Sequence, residues 1–308
     1  MKKPLLVIAG PTASGKTDTA VAVAKALNGA VLSADSMQVY QEMDIGTAKP
    51  SMEERRGIDH YLLDEWPPTV SCNARMFQEK AKEYLEQIYA QGKLPIVAGG
   101  TGFYIQALVY DNDFAPTEEK GESERAQAIL EAEGPEGLHR ALMQVDPAYA
   151  AQIHANNVKR VLRALTYYYQ TGEKMSAHNE EARQKPSPYD LLFVVLSMER
   201  EVLYDRINRR VDLMMEAGPL EEVEGLLKKG YDPSLTSMQG LGYKEFIPYF
   251  RGECTVEEAV EQLKQSTRRF AKRQLTWFRR QQDAHWVDMT GKTAGQAAEE
   301  IIALWNNR

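Results

Sequence analysis

Lys3-Pro4-Leu5-Leu6-Val7-Ile8-Ala9-Gly10-Pro11-Thr12-Ala13-Ser14-Gly15-Lys16-Thr17 stands almost at the start of the chain and decides the fold. An apolar strand, a loop of the form G-x-x-x-x-G-K-T and a following helix over about 16–27 make a phosphate-binding loop. Gly10 and Gly15 let successive backbone N–H groups curl around an oxyanion, with Pro11, Thr12, Ala13 and Ser14 forming the turn between them. Lys16 adds a point charge, and the Thr17 hydroxyl is placed to ligate Mg²⁺. The helix aims its positive dipole end at the same anion. The motif identifies a phosphate ligand, but neither which one nor whether a phosphorus bond is broken.

Working outward, a second strand over 30–34 ends at Asp35-Ser36, and a short one fits 60–63. A helix over 73–90 leads to a buried strand, 94–98, that stops at Gly99-Gly100-Thr101-Gly102. Strands alternating with helices imply a parallel sheet whose ligand sits at the carboxyl ends of the strands. Lys16, Asp35 and Thr101 all lie just past such ends, so they are expected to converge on one crevice. From 115 to 189 no strand pattern appears, and 122–133, 135–145 and 157–171 read as helices. Prolines near 116 and at 186–188 flank this stretch as expected hinges. Strand character resumes at 191–198, followed by helices over 201–217 and 255–282, a strand at 285–289 and a terminal helix. The expected architecture is α/β: a P-loop NTPase-like parallel sheet flanked by helices, built from 1–114 and 190–308, with an all-helical insertion over 115–189.

Composition bounds the function class. The 308 residues are 43% hydrophobic and 26% charged, the balance of a globular protein. No apolar run approaches the ~20 residues that span a bilayer, so no membrane association is expected. The first strand begins almost at once, so no signal peptide and a cytoplasmic location are expected. Cys72 and Cys254 stand alone, without C-x-x-C or a histidine cluster, which argues against disulfides and zinc. The net charge of −7 disfavours a nucleic-acid partner on average, yet residues 268–280 carry six basic residues and no acid. Such a patch on an acidic protein points to a polyanion.

Several side chains carry candidate chemistry. Asp35 reads equally as a cap, a Mg²⁺ ligand or a general base. No apolar strand after the second is expected to end in Asp, so the metal carboxylate of a motor-type ATPase is missing. In the helix 201–217, Leu203, Ile207, Val211 and Met214 form an apolar stripe with Arg210 at its edge and Arg209 pointing away. A guanidinium placed there is a structural ion pair or a second clamp on the phosphate ligand. Helix 157–171 places Val158, Val161, Leu162, Leu165 and Tyr169 on one face and Lys159, Arg160 and Arg163 on the other. In helix 255–282, Val256, Leu263, Phe270 and Trp277 recur every seven residues as the expected core seam. Arg268, Lys272 and Arg279 form one basic track away from it, and Arg269, Arg273 and Arg280 another, as a phosphodiester backbone requires.

Taken together, Gly10–Thr17, Ser33-Ala-Asp-Ser-Met-Gln-Val-Tyr40, Met43-Asp-Ile-Gly-Thr-Ala-Lys-Pro50, Gly99-Gly-Thr101, 157–165, Gly242-Tyr243-Lys244 and 267–279 resemble the bacterial tRNA dimethylallyltransferases. The resemblance implies transfer of a dimethylallyl group from dimethylallyl diphosphate to N6 of the adenosine 3′ to the anticodon, in tRNAs reading codons that begin with U. Mg²⁺ is the expected cofactor and a monomer the expected acting form. Lys16, Thr17, Thr101 and Arg210 would stabilise the departing diphosphate, and Asp35 would accept the N6 proton. Asp35, Ser36, Met37, Gln38 and Thr101, with Gly242, Tyr243 and Lys244, match segments near the target base. Lys159, Arg160, Arg163, Arg268, Lys272, Arg273, Gln274, Trp277 and Arg279 are the residues expected to hold the anticodon stem–loop of the tRNA. Gln239 is a departure, since many relatives carry Arg there. The alternatives are a P-loop small-molecule or nucleotide kinase, with Asp35 activating a hydroxyl, and an idle nucleotide-gated RNA-binding protein.

Overall fold

Six strands, β1 (Pro4–Ala9), β2 (Gly29–Ser33), β3 (His60–Tyr61), β4 (Leu94–Gly99), β5 (Asp190–Ser197) and β6 (Ala284–Asp288), form one parallel sheet in a computed structural model describing residues 2–112, 114, 120–281 and 283–308. Their order is β3-β2-β4-β1-β5-β6, with every pairing parallel. β1 is therefore central, and Leu5 to Ala9 have no exposed surface. A strand buried on both faces reads as a continuous apolar run, as Leu5-Leu6-Val7-Ile8-Ala9 does. Burying each large side chain here contributes roughly 1.5–3 kcal/mol. The chain leaves β1 toward β2 on one side and reaches β5 on the other, so the carboxyl end of β1 faces the crevice where ligands bind in such sheets.

One face of the sheet packs on the helix Lys16–Ala26 and the terminal helix Ala294–Asn306, through Ala20, Val23, Ala24, Ala297, Ala298 and Ile301. Leu203, Ile207 and Ala271 bring the helices Arg200–Glu216 and Val256–Phe278 into the same apolar cluster. Several helix starts are written in the sequence. The Asn73 side chain accepts from the N–H groups of Arg75 and Met76 to start the helix Ala74–Ala90. Thr255 with Glu258, and Thr293 with Gln296, form capping boxes at the two C-terminal helices.

The chain divides into two compact units, Met1–Val109 with Pro188–Arg308, and Tyr110–Ser187. The expected limits of the insertion were 115 and 189; Ala115 and the hinge at Pro116 lie outside the described residues. In the smaller unit the helix Lys120–Val145 breaks at Gly134, φ 67°, ahead of Pro135, giving the two halves the sequence suggests. Its core gathers Ala126, Leu138, Leu142, Val161, Leu165 and Met175. Asp146, fully buried, accepts from the backbone of Tyr149 and from both the N–H and hydroxyl of Ser176.

Three sequence expectations change. The helices Gly102–Val109, Met175–Gln184 and Pro219–Lys228 were not foreseen. β6 does end in Asp288, although no later strand was expected to end in Asp; its carboxylate accepts from the Thr290 N–H at 2.9 Å at the sheet's edge. The buried stripe of Val256–Phe278 runs through Ala259, Leu263, Ala271, Gln274 and Phe278, leaving Val256, Phe270 and Trp277 only half-buried. A straight helix drifts away from a seven-residue repeat, and the Gln274 side chain is drawn inward by hydrogen bonds described below.

Candidate active site

The loop after β1 folds as its residue types require. Gly10 has φ 151° and would press a side chain onto the Leu196 carbonyl, while Gly15, φ 89°, is the cap of the helix Lys16–Ala26. Ala13 also has positive φ, 63°. The Ser14 hydroxyl is fully buried and has no hydrogen-bond partner among the described residues. Lys16 Nζ donates to the Pro11 carbonyl at 2.6 Å, folding back over the loop as it would over an anion. Its ammonium is crowded by protein, and this desolvation, with the neighbouring Arg210, lowers its pKa to about 7 against the opposing pull of Asp35.

Arg210 stands beside this loop. Its guanidinium lies 3.4 Å from the Thr12 hydroxyl, and Asp35 and Glu54 favour its charge. Solvent reaches the side chain from one side, while the surrounding protein crowds it enough to lower its pKa. A guanidinium remains charged at neutral pH all the same. Arg209 points outward to Asp205, as its helical phase predicts. Arg206 is a residue the sequence reading missed: its guanidinium lies alongside Gly15 and its charge acts on Arg210. The signal was present, because Arg206 and Arg210 stand four residues apart on one helix face. Lys16, Arg206, Arg210 and a helix N-terminus thus surround one loop, with Asp35 as the nearby acid.

β2 and β4 deliver the remaining groups. Asp35 is half-buried just past β2, and its Oδ1 accepts from the Met37 N–H at 2.9 Å, which fixes its rotamer. Thr101, just past β4, donates its N–H to the Ala34 carbonyl, and its hydroxyl oxygen accepts from the Ser36 N–H at 3.0 Å. Asp35, Ser36 and Thr101 therefore form one rigid corner beside the loop. Gln38 points inward: its amide oxygen accepts from the Ser33 hydroxyl and its amide N–H₂ donates to the Ala48 carbonyl. Met37 packs against Gly240, which a Cβ there would strike at 2.1 Å.

The expected RNA-contacting residues divide. Lys159, Arg160 and Arg163 on the helix Val158–Thr171 are exposed, as are Arg269, Lys272 and Arg273 on Val256–Phe278 and Arg279 and Arg280 just past its end. Lys244 is exposed and lines a recess of about 450 Å³ with Asp232, Gln239 and Arg251. None of that recess's lining residues belongs to the phosphate loop. Arg268 is half-buried, its guanidinium donating to Asn208 at 2.7 Å and to Glu261 and so bracing two helices. Tyr243 is fully buried, its hydroxyl donating to Glu222 at 2.6 Å. Gly242 is buried as well, its N–H donating to Glu245. Trp277 packs flat against Gly102 and meets Phe103 edge-on. Gln274 is buried and faces the phosphate loop.

A magnesium ion would find one hydroxyl ligand at the start of the helix after the phosphate loop. Among the described residues no three His, Cys, Asp or Glu side chains gather into a metal cluster. Thr17, exposed at the start of its helix, offers a single hydroxyl. Mg²⁺ takes few protein ligands and completes its shell with phosphate oxygens and water, which this geometry permits. No helix among the described residues is long and apolar enough to cross a membrane.

The comparisons with known proteins agree with one another. Residues 38–281 match the family model described as IPP transferase. The chain is 50% identical over 299 residues to the tRNA dimethylallyltransferase of Acetivibrio thermocellus, covering 97% of this chain and 95% of that one. It is 47% identical over 304 residues to the tRNA dimethylallyltransferase of Bacillus cereus, covering 98% and 94%. A crystal structure of the tRNA isopentenylpyrophosphate transferase of Bacillus halodurans superposes with a TM-score of 0.76 at 42% identity, covering 99% and 96%. A eukaryotic dimethylallyltransferase captured acting on tRNA superposes at 0.87 with 32% identity, covering 99% and 79%. Sequence, fold and phosphate loop together place this chain in the IPP transferase family, among the tRNA dimethylallyltransferases.

Proposed function

We propose that this protein transfers a dimethylallyl group from dimethylallyl diphosphate to N6 of the adenosine 3′ to the anticodon, in tRNAs that read codons beginning with U. The observation that carries the reading is the convergence of Lys16, Arg206 and Arg210 on a phosphate loop beside the Asp35–Thr101 corner. The loop binds the diphosphate, and the bond broken is that between the allylic carbon and the diphosphate oxygen. Positive charge fixed at the loop stabilises the leaving group as its charge develops. Thr17 would hold Mg²⁺, which neutralises diphosphate charge when bound.

The acceptor nitrogen is a weak nucleophile because its lone pair is delocalised into the purine ring. As the new carbon–nitrogen bond forms, N6 loses a proton, and Asp35 takes it on the carboxylate oxygen not committed to Met37. Thr101 holds that corner in place through the Ser36 N–H. The target base must be extruded to reach the site, which costs little in an unpaired anticodon loop. Exposed cations on Val158–Thr171 and on Val256–Phe278 hold the RNA backbone. A cytoplasmic, monomeric enzyme fits this role.

Mass spectrometry of tRNA incubated with the protein, Mg²⁺ and dimethylallyl diphosphate tests the reading. Gain of one dimethylallyl group on that adenosine is expected, and ATP turnover without tRNA modification would instead mark a kinase. Asp35→Ala should lower single-turnover modification by about 100-fold or more while binding changes little. Unchanged single-turnover chemistry in that variant would remove Asp35 as the base.

A further inference from the structure

The helix Val256–Phe278 reaches into the phosphate loop through one side chain. Gln274 is only 6% exposed. Its amide oxygen accepts from the Thr12 N–H at 2.9 Å, and its amide N–H₂ donates to the Gly100 carbonyl at 2.9 Å. Thr12 is a loop residue whose hydroxyl also meets Arg210, and Gly100 precedes Thr101. A Cβ on Gly100 would stand 2.1 Å from the Gln274 amide nitrogen, so the close approach requires glycine there. One planar amide thus joins the loop after β1 to the loop after β4, with a donor and an acceptor each matched to its partner.

We propose that Gln274 is a positioning residue for the diphosphate site and not an RNA contact. It fixes the Thr12 backbone, and with it the hydroxyl that faces Arg210, at a set distance from the Thr101 corner. This rests on the reading of the phosphate loop as the diphosphate site. The chemistry of the amide is specific: one end must accept and the other must donate. An isosteric carboxylate keeps the shape, but sets an oxygen against the Gly100 carbonyl and a negative charge beside the site of a polyanion. A thioether of similar length leaves both the Thr12 N–H and the Gly100 carbonyl without this partner.

Gln274→Glu and Gln274→Met, with Lys16→Ala as reference, distinguish the possibilities. Steady-state KM for dimethylallyl diphosphate, inhibition by inorganic diphosphate and tRNA binding by filter retention are measured for each. Both Gln274 variants should raise the diphosphate constants about tenfold or more, the scale of losing one or two matched hydrogen bonds in a partly desolvated site. Glu should be worse than Met, and tRNA affinity should stay within about twofold. A variant whose tRNA affinity falls while its diphosphate constants hold would overturn the proposal in favour of a direct RNA contact. Normal diphosphate constants in both Gln274 variants beside a defective Lys16→Ala would overturn it while leaving the loop reading intact. If Lys16→Ala also binds diphosphate normally, the loop reading fails and the proposal falls with it.

Discussion

Binding of dimethylallyl diphosphate above neutral pH should load a proton onto Lys16. In the empty loop, desolvation and the adjacent Arg210 guanidinium lower the lysine pKa to about 7, with Asp35 opposing them. A polyanion seated on the loop replaces repulsion with attraction, so the pKa rises in the complex. The free protein then holds fewer protons than the complex at every pH between the two values. Binding takes up a proton in that window and weakens as pH rises through it. Well above that pKa most of the free Lys16 is neutral, so uptake should approach one proton, and affinity should fall by up to about tenfold per further pH unit. The substrate's own last phosphate ionisation, at about 6, is complete by then and adds nothing. Calorimetry without tRNA, in two buffers of different ionisation enthalpy, reads the uptake directly. Lys16→Met should lose both the affinity and the buffer dependence. Equal heats in the two buffers, with tight binding retained by the wild-type protein, would refute the reasoning.

Arg210→Gln should raise KM for dimethylallyl diphosphate and weaken inhibition by diphosphate. Because solvent reaches the guanidinium, the expected change is roughly tenfold, below the 2–5 kcal/mol of a fully desolvated pair. Normal values for both constants would return Arg210 to a structural role. Substituting Lys272 and Arg279 together, or Arg160 and Arg163 together, should weaken tRNA binding and lower its salt slope by about one unit per lost phosphate contact. Arg268→Ala serves as the contrast: with its guanidinium tied to Asn208 and Glu261, it should lower Tm while leaving the salt slope unchanged.

The sheet and its ligand end were legible because strand burial and loop chemistry are local. Leu5 to Ala9, short and bounded by glycine, reads as a buried strand, and the G-x-x-x-x-G-K-T loop after it reads as a phosphate cradle. Helical phase placed Arg210 at the edge of an apolar stripe and left its partner open; the approach to Thr12 is a tertiary contact. Which way Gln274, Tyr243 and Arg268 point was not legible, because each is decided by a partner distant in sequence: Thr12, Glu222 and Asn208. A seven-residue repeat of large apolar residues suggested a seam through Phe270 and Trp277. The observed stripe keeps Leu263 but otherwise runs through Ala259, Ala271, Gln274 and Phe278. Size favours the large residues in a pattern search, whereas close helix packing favours the small ones.

The 43–50 segment, one of those shared with the family, is largely internal wiring, and this wiring helps to decide where Asp35 stands. Glu222, on a helix that no motif flagged, accepts from three successive backbone N–H groups, those of Asp44, Ile45 and Gly46, at 2.8, 2.8 and 3.0 Å. Its carboxylate also accepts from the Tyr243 hydroxyl, whose ring lies so close to Gly46 that a Cβ there would meet it at 2.6 Å. Hydrogen bonds to a charged group contribute about 1.5–3 kcal/mol each, so this one carboxylate fixes the 43–50 segment firmly. The far side of that segment presents the Thr47 and Ala48 carbonyls to the Gln38 amide. Lys49 ties the same segment to the Tyr40 carbonyl, Asp44 and Asp64 with its ammonium almost wholly buried. Gln38 is three residues from Asp35, in the turn closed by the Met37 N–H. The placement of the acid beside the phosphate loop is therefore held from two directions: by Thr101 on the sheet side, and by Glu222, through the 43–50 segment, on the other. A residue with no chemistry of its own to perform can in this way be as necessary to the geometry of the reaction as one that meets the substrate.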